Sequence, residues 1–168
     1  MPGLGGRQWS REHAEQSANV LNQVNPDFIR LRTLMMGETL ALWASAQSGE
    51  YDMLTEDEIV REIGEFISKL NFTGELKSDH ILNLLPELEG KFPEAKQACI
   101  DTVERYLEMP LKERLNYRLG RRAGLYEKIN DIYDAAKYEK IDAAMRRVGA
   151  DTAGKVDELI DGMKKRFI

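Results

Sequence analysis

The chain has 168 residues, enough for one domain, or one domain with an appendage, around a real hydrophobic core. Its 42% hydrophobic and 32% charged residues read as a soluble globular protein, and a net charge of −5 spread without blocks argues against nucleic-acid binding, which uses a basic stripe. No apolar run approaches the roughly 20 residues that cross a bilayer, and a single cysteine, Cys99, excludes an intrachain disulfide or a multi-cysteine metal site.

The opening "MPGLGGRQWS" lacks the apolar stretch of a signal peptide, so a cytoplasmic protein without a membrane partner is expected. Residues 1–9 are glycine-rich and non-periodic, and "GLGG" at 3–6 reads as the end of a strand turning into a helix. Ser10 is placed to cap a helix reaching Val24, with Ala14, Ala18, Val20, Leu21 and Val24 as its apolar stripe. Asn25-Pro26 stops it, because proline disfavours the helical region for the residue before it.

"FIRLRTL" at 28–34 follows, with Phe28, Arg30 and Arg32 alternating against Ile29, Leu31 and Thr33, which predicts a strand. Gly37 opens a short helix from Glu38 to Gln47, closed by Ser48-Gly49. Thr55 and Glu58 form a capping box ahead of an amphipathic helix carrying Ile59, Ile63, Phe66, Ile67 and Leu70. "NFTGELK" at 71–77 is a second strand, so strand–helices–strand predicts a βαβ crossover with parallel strands.

Beyond His80 the pattern predicts helix throughout. Pro93 sits near the start of a helix reaching Glu108, and Pro110 opens another that ends at "LGRRAG", 119–124. Two more are expected, over 125–148 with a break at Asp134, and from Asp151 to the end. Trp9 and Trp43 are expected to pack, His13 to be solvated, Cys99 to be a buried small hydrophobe, and Arg118, Arg121 and Arg122 to favour a helix C-terminus.

Ser78-Asp79-His80 stands where the second strand gives way to "ILNLL". Serine or aspartate before an apolar helix is a common N-cap, while a histidine at a strand end is a group that can bind a ligand or move a proton near neutral pH. Three adjacent residues do not make a hydrolytic triad, which is defined by geometry. Arg30 and Arg32 share a side of their strand. They are either solvated or, at a barrel mouth, forks for a carboxylate or phosphate.

The run "GLGGRQWSREHAEQSANVLNQVNPDFIRLRTL", then "LTEDEIVREIGEFISKL", "SDHILNLLPELEGKFPEAK" and "RYLEMPLKERLNYRLGRRAGLY", resembles the late barrel of radical S-adenosylmethionine (radical SAM) proteins. The likeness covers residues 3–126 and rests on the order and spacing of these segments. It implies a predominantly helical α/β fold. Residues 1–85 would be late β/α units of a partial barrel with two short parallel strands, and 86–168 an all-helical C-terminal region.

The resemblance implies S-adenosylmethionine and an iron–sulfur cluster for the intact family, the cluster held by a CxxxCxxC motif. With one cysteine this chain departs from that pattern. It is therefore expected to be a non-cluster-binding C-terminal segment, with no metal ligands or catalytic residues of its own. It would supply substrate-side residues and a helical cap to a missing N-terminal barrel half, or associate with itself. Barrel sites lie at the C-terminal ends of strands, so the candidate substrate- or SAM-side residues are Gly5, Gly6, Arg30, Arg32, Thr33, Asp79, His80 and Asn83. The competing reading is a free-standing helical interaction module without that chemistry.

Overall fold

Seven α-helices and a three-stranded mixed sheet make up the computed structural model, which describes residues 1–150 and 152–164. Two units divide the chain, Met1–Leu107 and Glu108–Ile168. In the first, helix α1 (Gly6–Val24) leads to strand β1 (Phe28–Arg30), helices α2 (Ala41–Ser48) and α3 (Glu56–Lys69), strands β2 (Glu75–Lys77) and β3 (Gly90–Lys91), and helix α4 (Lys96–Glu108).

The sheet order is β1-β2-β3, so β1 lies at an edge. β1 and β2 are parallel, with Ile29 beside Leu76, and β3 pairs antiparallel to β2. The predicted crossover is therefore present, and α1 packs against α3. Ala14 and Ala18 are buried, and their small side chains let the two helices approach; Ile63, Phe66 and Ile67 complete that core with Ile29, Leu31 and Leu76. Each large side chain buried there contributes about 1.5–3 kcal/mol.

Local chemistry sets most helix ends. Thr55 and Glu58 close the predicted capping box on α3. Asn25 takes the left-handed conformation at φ 47° and returns its N–H to Leu21, ending α1. The start of α1 differs from expectation. It begins at Gly6, and Ser10 lies inside the helix with its hydroxyl on Glu62 rather than on the backbone.

Other boundaries shift too. Paired strand extends only over Phe28–Arg30, although alternating burial continues through Thr33. α2 starts at Ala41 instead of Glu38, and β2 keeps only the last three residues of 71–77. Residues 80–89 form turns and irregular chain rather than helix, so Ser78 and Asp79 cap nothing. Residues 86–107 stay with the first unit: β3 is bonded to β2, and the Tyr106 hydroxyl donates to Asp57 at 2.6 Å. Trp9 is 56% exposed and does not pack, whereas Trp43 is partly buried. Cys99 is buried as expected, which pushes its thiol up to about 11.

In the second unit, α5 (Leu111–Arg122) packs with a 3-10 turn (Ile129–Tyr133), α6 (Ala135–Val148) and α7 (Ala153–Lys164). Asp134 caps α6 through the N–H groups of Ala136 and Lys137, which is why the predicted helix over 125–148 breaks there. The expected helix from Asp151 onward is seen over Ala153–Lys164; its first residue and last four lie outside the described residues. Arg118 is 2% exposed and pairs with Asp157 of α7, so its partner is a carboxylate and not only the helix C-terminus that was expected. Arg121 does serve its helix end, donating to the Tyr126 carbonyl at 2.7 Å.

Candidate site at the ends of the parallel strands

Three of the expected segments meet at one end of the sheet. Asn83 ties two of them together. Its Oδ1 accepts from the N–H and hydroxyl of Thr33 at 3.2 and 2.9 Å, and its Nδ2 donates to the Leu31 carbonyl at 3.0 Å and to Ser78 Oγ at 3.1 Å. The Ser78 hydroxyl in turn donates to the Leu85 carbonyl at 2.8 Å. A primary amide has two donors and two acceptor lone pairs, so Asn83 is fully used. Thr33, Ser78 and Asn83 are buried. They act as a clamp between the chain leaving β1 and the chain leaving β2, not as ligand-facing groups.

The exposed groups at that end are charged. Arg30 and Asp79 form an ion pair at 3.0 Å, each side chain about half exposed, at 44% and 49%. Arg32 continues the same outward face and has no hydrogen-bond or ion-pair partner among the described residues. His80 is partly buried, and its carbonyl accepts the Asn83 N–H at 2.8 Å. Arg30, the last residue of β1, is thus paired with Asp79 beyond β2, and Arg32 and His80 lie on the chains that leave the same two strands and that Asn83 ties together.

The glycine turn is the third segment. Leu34 donates its N–H to the Pro2 carbonyl at 2.8 Å, setting the turn beside the chain that continues from β1. Gly6, the first residue of α1, has φ +59° and packs so closely that a β-carbon would lie 3.0 Å from the Asp52 carbonyl. Gly5 is the N-cap, with nothing to offer from a side chain.

The turn is held from below by a residue the sequence reading passed over. Glu62 is 4% exposed on α3; it accepts the Gly3 N–H at 2.8 Å and the Ser10 hydroxyl at 2.6 Å. His13 places Nδ1 3.0 Å from the same carboxylate, so it is engaged rather than solvated. The Tyr51 hydroxyl donates to the Gly3 carbonyl, and burial pushes that phenol up from its ordinary value. Burial also pushes the Met1 ammonium down, against the pull of Glu62. The signal for Glu62 was present: a carboxylate three residues after Ile59 and one before Ile63 lies on the apolar stripe.

The residues do not fit an iron–sulfur cluster. Such a cluster needs several thiolates, and the one thiol here is buried and held protonated. Comparison with family models, curated proteins and solved structures finds no match to this chain.

Proposed function

We propose that this chain is the C-terminal, non-cluster-binding segment of a radical SAM protein, presenting substrate- or SAM-side residues and a helical cap, and not catalytic alone. The observation that carries this reading is the meeting of the glycine turn, residues 31–34 and residues 78–83 at the C-terminal ends of two parallel strands. Ligands of parallel α/β sheets bind at that end. Arg32 is the group best suited to hold a carboxylate or phosphate, including the carboxylate of S-adenosylmethionine, because its guanidinium is exposed and uncommitted. His80, on the chain leaving β2, is a candidate ligand or proton carrier, while Asn83, Thr33 and Glu62 position the loops. A cytoplasmic location belongs to the same reading.

Co-expression with a CxxxCxxC-bearing polypeptide encoded beside this chain tests it. The pair is expected to co-purify with iron and to cleave S-adenosylmethionine, with turnover reduced in Arg32→Ala while the folded yield is unchanged. Absence of any such co-purifying partner, with no cleavage, returns the chain to the free-standing interaction module. That alternative draws its support from the helix-only second unit, Glu108–Ile168.

A further inference from the structure

A groove of about 630 Å³ runs between α1, α3 and the outer edge of β1. Phe28, Ile29, Arg30 and Leu31 all line it. Successive strand residues point to opposite faces, so a cleft that touches four in a row lies along the strand's edge rather than over a face. The helices supply an apolar wall, with Ala14, Leu21, Ile63 and Phe66 among its residues.

The edge is chemically open. In a parallel pair, one residue sends both main-chain groups to one neighbour and the next sends them the other way. Glu75 donates to the Asp27 carbonyl and Leu31 donates to the Lys77 carbonyl, which fixes the odd-numbered residues of β1 toward β2. The N–H and C=O groups of Phe28 and Arg30 therefore face the groove, and no hydrogen bond reaches them from the described residues.

A ladder on that edge has already begun. Leu34, an even-numbered residue further along, donates its N–H outward to the Pro2 carbonyl. The matching bond from Leu31 to Lys77 joins residues one step out of register, since Lys77 lies beside Arg30. By the same offset Pro2 lies beside Thr33. Carried backwards, chain leading into Pro2 would pass Arg32, Leu31, Arg30, Ile29 and Phe28 in turn, parallel to β1.

We propose that this groove is a strand-accepting site, whose occupant is an extended polypeptide segment running parallel to β1 and leading into Met1. Its alternate residues, the first and third before Met1, lie beside Leu31 and Ile29 and are apolar, because they face α1 and α3. Those between face outward with Phe28 and Arg30 and are polar. From His13 to Leu21 the helix wall spans about 12 Å, which houses about four strand residues. Main-chain bonds supply the attraction and the alternating pockets supply register, as in other strand additions. The inference stands on the edge geometry alone and does not need the radical SAM reading.

The test appends Val-Thr-Val-Thr-Val directly before Met1 of the full chain and follows amide hydrogen exchange at Phe28 and Arg30. Exchange at both is expected to slow by about tenfold or more relative to the chain bearing Val-Thr-Pro-Thr-Val, while Ile67 in the core is unchanged. The shifted segment Thr-Val-Thr-Val-Thr should protect less. Equal exchange in all three proteins overturns the proposal. So does protection in the unextended chain that rises with concentration alongside dimer sedimentation, which assigns the edge to a second copy instead.

Discussion

A single carboxylate can carry several kinds of information. Glu58 accepts two bonds from the Arg7 guanidinium, at 2.8 and 2.9 Å, and further bonds from the N–H and hydroxyl of Thr55. The Arg7 bonds, foremost among these, hold its carboxyl down at about 2, against an ordinary 4.5. A carboxyl depressed on folding contributes stability that is complete above its unfolded value and lost as pH falls through its folded value. The loss therefore falls between pH 4.5 and 2. Arg7 is about half exposed, at 47%, so solvent screens the pair, and its contribution comes to about 1 kcal/mol. Urea midpoints at pH 6, 4 and 2.5 should show wild type exceeding Arg7→Ala at pH 6 and the gap shrinking on acidification. A gap constant across that range would remove Glu58 as its cause. Thr55 and Glu58 were legible as a capping box, yet Arg7, fifty-one positions away, was not: pairings of that reach depend on how the chain folds back.

At the scale of elements, the second unit turns on a close approach. A β-carbon at Gly120 would overlap the Tyr126 ring, which is buried and stacked on Tyr117 at 5.8 Å. Gly120→Ala should cost about 1–3 kcal/mol by overpacking. Gly162 on α7 has nothing within 4 Å of a β-carbon, so Gly162→Ala should gain about 0.5–1 kcal/mol from backbone entropy. Thermal unfolding of the two variants should move in opposite directions; a neutral Gly120→Ala would contradict the packing. Amphipathic helices and the parallel strand pair were readable because periodicity and caps are local. β3, two residues long at Gly90–Lys91, carries no such pattern and exists because β2 offers it an edge. "ILNLL" read as helix because irregular chain that is largely buried is as apolar as a helix face; part of its polar backbone, the Leu85 carbonyl, is satisfied by the Ser78 hydroxyl. Of the candidate substrate- or SAM-side residues, Arg30, Arg32 and Asp79 are exposed, as charged residues on an alternating strand and its following turn would be, whereas Thr33 and Asn83 are buried and bonded to each other, a pairing fifty positions apart that local pattern does not reveal.

Across the whole first unit, one set of side-chain bonds shares a property. Glu62 to Gly3, Asn22 to Lys69, Asn25 to Thr73 and Asn83 to Thr33 join residues 59, 47, 48 and 50 positions apart. These ties connect an early half, ending near Gly37, to a later half beginning near Tyr51, while the later half has ties of its own, from Tyr106 to Asp57 and from Lys96 to Leu70. Between the halves α2 buries no residue at all. Covalent continuity through that segment lowers the entropic cost of bringing the halves together, but the recognition between them is already encoded on both sides. A protease nick within residues 41–48 should therefore leave two complementing fragments that elute together from a sizing column and separate only in denaturant. Separation under native conditions would show that the α2 tether, rather than the mutual fit of the halves, keeps this unit whole.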